Sequence, residues 1–388
     1  MRKVFNIFLL ILIIGITICS VQNIEVSAET FDDKMTAKNY IVIDSSGYVL
    51  LEKNADEKRE VASICKLMTT LLTLEEIENG NISLEDKFIA SDYACSAEGS
   101  QAFLDTGCEY SVGDLLKSVI VASANDSAIV LAENISGSEN EFVKKMNDKA
   151  KKLGMHNTLY GNATGLSGEE QYSTAKDTAI ILNAVSKFEI YKNDSRIWLD
   201  TLTHPSGRKT ELVNTNRLIR YYQYCQTGKT GFTDEAGYCL SSTANKDDLK
   251  LTCVVLGCDS SADRFADSVT LYNYAYANFK KTNVVEKDSV PEIKPIVIGG
   301  KKDSITIVCK EDFSTVIPKN STRNIEIKYN VPNKIYAPIK EGDVVGTVEI
   351  TDGENILGIV DLVSLETIDE WGYSDIIRNI VDKFGFLN

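Results

Sequence analysis

Imidazole is nearly missing from this 388-residue chain, whose only histidines are His156 and His204. That excludes most histidine-built metal sites and leaves few ways to assemble a Ser-His-Asp triad. A catalytic base, if there is one, is expected to be another group. Proline is sparse too: five of the six lie after position 290. None of the nine cysteines forms a Cys-x-x-Cys pair, which argues against zinc ribbons and thioredoxin-like sites. Positive charge is in deficit, 41 Lys and Arg against 56 Asp and Glu, for a net charge of −15. Such a surface repels phosphate backbones, so no nucleic-acid partner is expected. With 43% hydrophobic and 25% charged residues, the chain reads as an ordinary globular protein, not a disordered, collagenous or multi-span membrane protein.

The N-terminus reads as an export signal. Arg2 and Lys3 precede an almost wholly apolar run from Val4 to Ile18, and Val26-Ser27-Ala28 supplies small residues before a cleavage point at Glu29. The alternative, an uncleaved anchor helix, is less well matched, because the run falls short of the ~20 residues that span a bilayer. Bulky Ile18 before Cys19 speaks against a lipoprotein signal. Cleavage would leave eight cysteines, an even number that permits disulfides in an exported protein. Cys95 with Cys108 is the expected pair, although buried thiols fit the sequence equally well.

Patterning divides the mature chain. Tyr40–Asp44 and Tyr48–Glu52 flank Ser45-Ser46-Gly47, a β-hairpin signal. Leu67, Leu71, Leu74 and Ile77 recur at helical spacing up to Gly80, and Leu115–Val121 and Ala128–Ile135 read as two more helices. Ala236–Ala244 and Leu249–Gly257 read as neighbouring strands. Helices and strands mixed without βαβ regularity predict an α/β domain with an antiparallel sheet over residues 29–282. Past the proline shift come short strands at Ile305–Lys310, Ile325–Val331, Val344–Ile350 and Ile356–Val363, which predict a small all-β domain over 283–365. In the last segment, 366–388, Tyr373, Ile376, Ile377, Ile380, Val381 and Phe384 form one apolar helical face. Trp371, Phe386 and Leu387 add apolar bulk. A helix lying on a membrane surface and a helix docked on the β-domain both fit. Apolar area favours the membrane, while the balanced charges of Asp375, Asp382, Arg378 and Lys383 give little pull toward anionic lipid.

Three short motifs carry chemistry together that none carries alone. Ser63-Ile-Cys-Lys66 sets a hydroxyl and an amine one helical turn apart, so that a neutral amine could take the serine proton. At roughly 7% each for Ser and Lys, about two chance matches to that pattern are expected. Ser123-Ala-Asn125 places a hydroxyl and a carboxamide on a turn between helices; by itself it reads as a helix cap. Lys229-Thr230-Gly231 enters a strand with a cation, and its glycine leaves room for another backbone to approach. By itself it reads as a strand end with a turn glycine. The three occur in order, in one predicted domain, behind an export signal.

That set resembles the Ser-x-x-Lys, Ser-Asp-Asn and Lys-Thr-Gly motifs of β-lactamases and penicillin-binding proteins, with Ala124 in place of Asp. Val61–Met68, Asn125–Ala128, Tyr172–Ala175, Leu212–Asn216 and Gly228–Thr233 are similar to one branch, the serine-type D-alanyl-D-alanine carboxypeptidases, from about residue 38 to 280. Ala337–Gly346 resembles that family's β-domain, and the terminal helix resembles its membrane anchor. The resemblance implies a penicillin-binding-protein/β-lactamase-like α/β domain followed by a small all-β domain, located outside the cytoplasm at the outer face of the cell membrane. It implies peptidoglycan stem peptides as substrate, β-lactam antibiotics as inhibitors, and no cofactor or metal. It makes Ser63 the nucleophile, Lys66 its base and Ser123 a proton relay. Asn125 would hold a substrate amide, and Lys229, Thr230 and Arg264 would bind the terminal carboxylate. Gly231 and Phe232 complete the binding strand, the N–H of Phe232 joining that of Ser63 as an oxyanion hole. Cys65 stands where threonine is commoner and puts an oxidisable thiol between the catalytic positions. Two alternatives stand beside this reading. One is a class A β-lactamase, which needs a glutamate followed four positions later by asparagine, whereas Ser173 and Thr174 follow Glu169 and Glu170. The other is a non-catalytic wall-binding protein, against which the intact motifs argue.

Overall fold

A strand with all six residues buried, β1 (Asn39–Asp44), lies inside the main sheet of the computed structural model, which describes residues 35–168, 170–320, 325–353 and 356–384. The export-signal reading, Glu169, Phe386 and Leu387 lie outside the described residues. β1 turns back into β2 (Val49–Lys53) as the hairpin pattern predicts. The turn is closed by the Asp44 carboxylate, which accepts from the N–H groups of Ser46 (2.8 Å) and Tyr48 (2.9 Å).

Two short pairings follow in the chain, β3 (Lys87–Ile89) with β4 (Glu109–Ser111) and the hairpin β5 (Leu199–Thr203) with β6 (Lys209–Val213). Next come β7 (Cys225–Thr233), β8 (Gly237–Lys246) and β9 (Leu249–Cys258). The five-stranded sheet runs β2-β1-β9-β8-β7, antiparallel throughout, which leaves β7 as a free edge. Its middle strands are near-continuously buried because both faces are covered. Val254 and Leu256 pack with helices Lys66–Glu78 and Ala175–Val185 on one face. On the other face the helix Asp263–Asn278 lies over the sheet, its Tyr272 hydroxyl donating to Ser242 O at 2.6 Å.

Helix Lys66–Glu78 keeps the predicted Leu67, Leu71 and Leu74 inward, but its first nine residues are all buried, not one stripe. It is a central helix, so its hydroxyls need internal acceptors: Thr69 donates to Ala163 O (2.7 Å) and Thr73 to Thr69 O (2.9 Å). The two other predicted helices span Val112–Ala122 and Asn125–Ser136 and belong to a second apolar cluster.

The four predicted C-terminal strands are present as one antiparallel sheet. After β10 (Phe279–Val285) and β11 (Ile296–Ile298) come β12 (Ile307–Cys309), β13 (Phe313–Pro318), β14 (Glu326–Asn330), β15 (Lys334–Tyr336), β16 (Val344–Thr351) and β17 (Ile356–Ser364). The sheet order is β12-β17-β16-β14. Sequence reading missed β10, which pairs with β13, and β11, which pairs with β15. Lys280 and Lys281 make β10 look polar, and three-residue strands carry no readable period. The terminal helix, Tyr373–Phe384, leaves Tyr373, Ile376, Ile377 and Ile380 exposed by 46–83%. Trp371 Nε1 donates to Gly300 O, and Lys301 pairs with Asp375 at 3.3 Å. Among the described residues no helix is long and apolar enough to cross a membrane.

The expected Cys95–Cys108 bridge does not form. All eight cysteines from Cys65 to Cys309 are free thiols. Cys95 is hydrogen-bonded with the Thr106 side chain instead, and burial holds its thiol above the ordinary pKa.

The β8–β9 turn contains Asp247 and Asp248, both at left-handed φ (51° and 61°) and both exposed. A two-residue turn of this hand favours glycine at its second position. Asp248→Gly is expected to raise stability by about 0.5–1 kcal/mol in chemical denaturation, through relief of the left-handed backbone. A lower denaturation midpoint would contradict that account.

Candidate active site

Residues 61–66 turn sharply before the central helix begins. Ala62 sits at φ 49°, an unusual conformation for a residue with a Cβ, and opens a short 3-10 turn, Ala62–Cys65, that runs straight into the helix. Two glycines make room for this backbone. A Cβ on Gly165 would lie 2.0 Å from Ala62 O, and one on Gly231 would lie 2.3 Å from Val61 O. The close backbone approach anticipated for Gly231 is therefore made by the segment that carries the serine. The continuous turn puts Lys66 Nζ 2.9 Å from Ser63 Oγ. Lys66 is wholly buried, and Ser63 is half-buried with its side chain in an open cleft.

The amine is fixed from behind by a loop. Lys66 Nζ donates to Thr164 O at 2.6 Å. The Asn162 side chain holds that loop in shape, accepting from Thr164 N (3.1 Å) and Gly165 N (2.6 Å) and donating to Leu166 O (2.9 Å). Burial pushes the Lys66 pKa down from 10.5 to about 7. Cys65 reaches the same loop. It is buried, donates to Asn162 O at 3.2 Å, and its pKa is pushed up to about 12 by burial. The redox sensitivity expected of this thiol is thus removed by shielding and by suppression of the thiolate.

The second and third motifs meet across the cleft. Ser123 ends the helix Val112–Ala122 in a left-handed conformation, φ 61°, with the helix Asn125–Ser136 starting two residues later. This tight reversal brings Ser123 Oγ within 2.6 Å of Lys229 Nζ on the edge strand β7. Lys229 is buried, and its pKa is held well below the ordinary lysine value, by burial first and then by the charges of Lys66 and Arg264. Two lysines separated by 163 positions thus lie under one cleft, each touching a serine hydroxyl.

The cleft has a volume of about 410 Å³ and is lined by Ser63, Gly99, Ser100, Ser123, Asn125, Leu166, Thr215, Thr230, Gly231, Phe232 and Arg264. Every predicted site residue is either in that lining or, for the two lysines, bonded to a serine that is. Asn125 Nδ2 donates to Glu98 O at 2.6 Å, and its Oδ1 is buried without a protein partner. Thr230 Oγ1 donates to Thr215 Oγ1 at 2.8 Å. Arg264, nearly buried, donates to Gly231 O at 3.1 Å. Phe232 stacks on Tyr238 with ring centres 4.2 Å apart and remains 47% exposed. Among the described lining residues none is a carboxylate. Ser173 and Thr174 are structural: Thr174 caps the helix Ala175–Val185 by accepting from Asp177 N at 3.0 Å. His204 bonds Tyr110 and Thr210, outside the cleft lining. Sequence reading missed the loop carbonyl of Thr164, Thr215, and the Gly99–Ser100 wall. Thr215 lies inside the resembling segment Leu212–Asn216, whereas a backbone carbonyl has no sequence signal.

Residues 24–260 match the family described as D-alanyl-D-alanine carboxypeptidase. The chain belongs to that family. Residues 279–370 match the C-terminal domain of penicillin-binding protein 5. The chain is 36% identical to the D-alanyl-D-alanine carboxypeptidase DacF of Bacillus subtilis (strain 168), over 88% of each chain. It is 31% identical to DacC of Escherichia coli (strain K12), over 87% of this chain and 85% of the relative. Its fold superposes on penicillin-binding protein 5 of Haemophilus influenzae with a TM-score of 0.75 and 29% identity, covering 87% of this chain and 98% of the other. The mixed α/β domain with its antiparallel sheet and the all-β domain after it are those of the carboxypeptidase family.

The buried Lys66 sets a stability signature. Its folded pKa is about 7 against an ordinary 10.5. Between those values the unfolded chain binds a proton that the folded chain does not, so stability rises with pH across that window. Below it the penalty is fully present, on the order of a few kcal/mol. The stability difference between the native protein and Lys66→Met should therefore move in favour of the native protein from pH 7 to pH 10. A difference that stays flat with pH, measured by urea denaturation, would mean Lys66 is charged in the folded state.

Proposed function

We propose that this carboxypeptidase removes the terminal D-alanine from peptidoglycan stem pentapeptides through an ester on Ser63. The observation that carries the assignment is the Lys66 amine 2.9 Å from Ser63 Oγ, with its pKa near neutrality, at the floor of an open cleft. At that pKa a large share of the amine is unprotonated at pH 7, so it can take the serine proton as Oγ attacks the carbonyl between the two D-alanines. The C–N bond then breaks. Ser123, bonded to Lys229, passes a proton to the departing amine and recovers one from the protonated Lys66, which is thereby neutral again. Water adds to the ester as Lys66 takes its proton, and the ester C–O bond breaks as Lys66 returns that proton to Ser63 Oγ.

Binding follows from the same groups. Lys229 and Thr230, with Arg264 in the wall, supply cationic and hydroxyl partners for the substrate's terminal carboxylate. The unpartnered Asn125 Oδ1 suits the amide N–H that precedes the scissile bond. β7 is a sheet edge, so an extended peptide can add alongside it, and the N–H groups of Ser63 and Phe232 are the reading's oxyanion hole. Penicillins present a strained amide and a carboxylate to the same groups and would acylate Ser63.

In this reading residues 1–28 are a cleaved export signal, 29–282 the catalytic domain and 283–365 the small β-domain. Segment 366–388 holds the enzyme to the outer face of the membrane through the exposed Tyr373, Ile376, Ile377 and Ile380.

Native protein is expected to release free D-alanine from a pentapeptide and to take up labelled penicillin covalently and durably. Ser63→Ala should do neither; retained labelling would place the nucleophile elsewhere. Rapid turnover of the antibiotic would favour a β-lactamase, and absence of both reactions a wall-binding protein. The acylation rate should climb as pH rises through about 7, because the reactive form is the neutral amine. A rate independent of pH from 5 to 9 would remove Lys66 as the base.

A further inference from the structure

The carboxylate of Asp126 lies just behind the cleft and touches none of the cleft's reacting groups. It is 1% exposed; its hydrogen bonds all go to backbone N–H groups, and its charge also reaches Lys66, whose pKa it acts to raise. Asp126 Oδ1 accepts from Ala102 N (3.0 Å) and Ser127 N (2.8 Å), and Oδ2 accepts from Leu104 N (3.1 Å). The two oxygens thus grip the 98–104 segment on either side of Phe103, which is held at φ 58° and is 57% exposed. An aromatic residue in that conformation, outside any core, is a strained arrangement that something must enforce. A buried carboxylate accepting several N–H bonds is strong enough to do so.

The gripped segment is the wall that fixes Asn125. Asn125 N donates to Ser100 O at 2.7 Å, and its Nδ2 donates to Glu98 O at 2.6 Å. With Nδ2 committed there, Oδ1 is the end left for a ligand. Neighbouring residues of one helix turn thus divide the work: Asp126 holds residues 102–104, and residues 98–100 hold Asn125. We propose that Asp126 is a positioning residue for substrate recognition, clamping the 98–104 wall so that Asn125 presents its carbonyl oxygen to the peptide. This rests on the peptidase reading and assigns a new residue within it. A loosened wall frees the carboxamide to rotate, and a misplacement near 1 Å is enough to cost about 10²-fold.

The test compares three variants with the native protein. Asp126→Asn keeps the side chain's shape but turns an N–H donor toward a backbone N–H. Gly99→Ala leaves the carboxylate intact and perturbs the wall directly, since a Cβ there would stand 3.0 Å from Asn125 Nδ2 at φ 78°. Asp44→Asn is the control: that buried carboxylate also accepts turn N–H groups, but at the β1–β2 turn, away from the cleft lining. KM and kcat are measured on a pentapeptide, with penicillin acylation of the folded fraction read by mass spectrometry. Asp126→Asn and Gly99→Ala should each raise KM about 10–100-fold, with kcat falling by less. Asp44→Asn should lower thermal stability and leave both constants unchanged. If Asp126→Asn does not fold, Gly99→Ala carries the comparison. Native-like KM in the folded variants, or an equal KM rise in Asp44→Asn, would overturn the clamp while native acylation still upheld the peptidase reading. A native protein that forms no acyl-enzyme would overturn both.

Discussion

An amine buried beside a hydroxyl is the constraint on which the rest of the structure turns. A lysine removed from water prefers to be neutral, and only a neutral amine can accept a proton from serine. The fold therefore has to bury Lys66 completely and still expose Ser63, three residues away. A 3-10 turn running into a helix whose first nine residues are buried does this, because Ser63 is the one residue of that turn left partly exposed, at the cleft. The cost falls on neighbouring backbone. Ala62 is held in a left-handed conformation, Gly165 and Gly231 can carry no side chain, and the loop at 162–166 must follow one path to give Lys66 its carbonyl. Strain of this kind persists only where the surroundings over-determine it.

The division of labour between elements follows. The 3-10 turn and the central helix bring Ser63 and Lys66, a reversal between two helices brings Ser123 and Asn125, and an edge strand brings Lys229. No two of these are near in the chain. The proposed catalysis needs their atoms placed to within a fraction of an ångström, and each is tied to a rigid element, not to a free loop. The wall at 98–104 is the exception, since it has no secondary structure of its own. It is held by side chains of the helix Asn125–Ser136, which makes that helix's first turn responsible for both a binding group and the surface that orients it.

Much of this was legible in sequence for a physical reason. Strong periodicity marked Leu67–Ile77 and the β8–β9 pair, and residue chemistry at fixed spacing marked the three motifs. Their convergence could be read only from resemblance, because nothing in local spacing brings residues 63, 123 and 229 together. What stayed hidden was of two kinds. Backbone contributions, such as Thr164 O and Glu98 O, depend on path and not on residue type. Short or lysine-bearing strands, such as β10 and β11, are stabilised by pairing partners that a local pattern does not reveal. The Cys95–Cys108 bridge failed for the reason that cysteine arithmetic always carries: parity permits pairing but cannot place two sulfurs together.

Two buried lysines under one cleft also bear on how the proposed reaction ends. The charge of Lys66 lowers the proton affinity of Lys229, and among the described residues that line the cleft none carries negative charge. A terminal carboxylate supplies it, and binding would raise the Lys229 pKa and fix its proton while leaving Lys66 free to act as the base. With a peptide, that carboxylate leaves with the released D-alanine, and the site returns to its electropositive state with room for water beside the ester. With a penicillin, ring opening releases nothing: the carboxylate and the expelled amine stay tethered to the acyl group, beside Lys229 and Ser123. The charge that the site lacks then remains in place, and the space that water needs stays filled. On this account slow release of the antibiotic and fast release of the peptide product would come from the same pair of lysines, and would differ only in whether the leaving group is free to go.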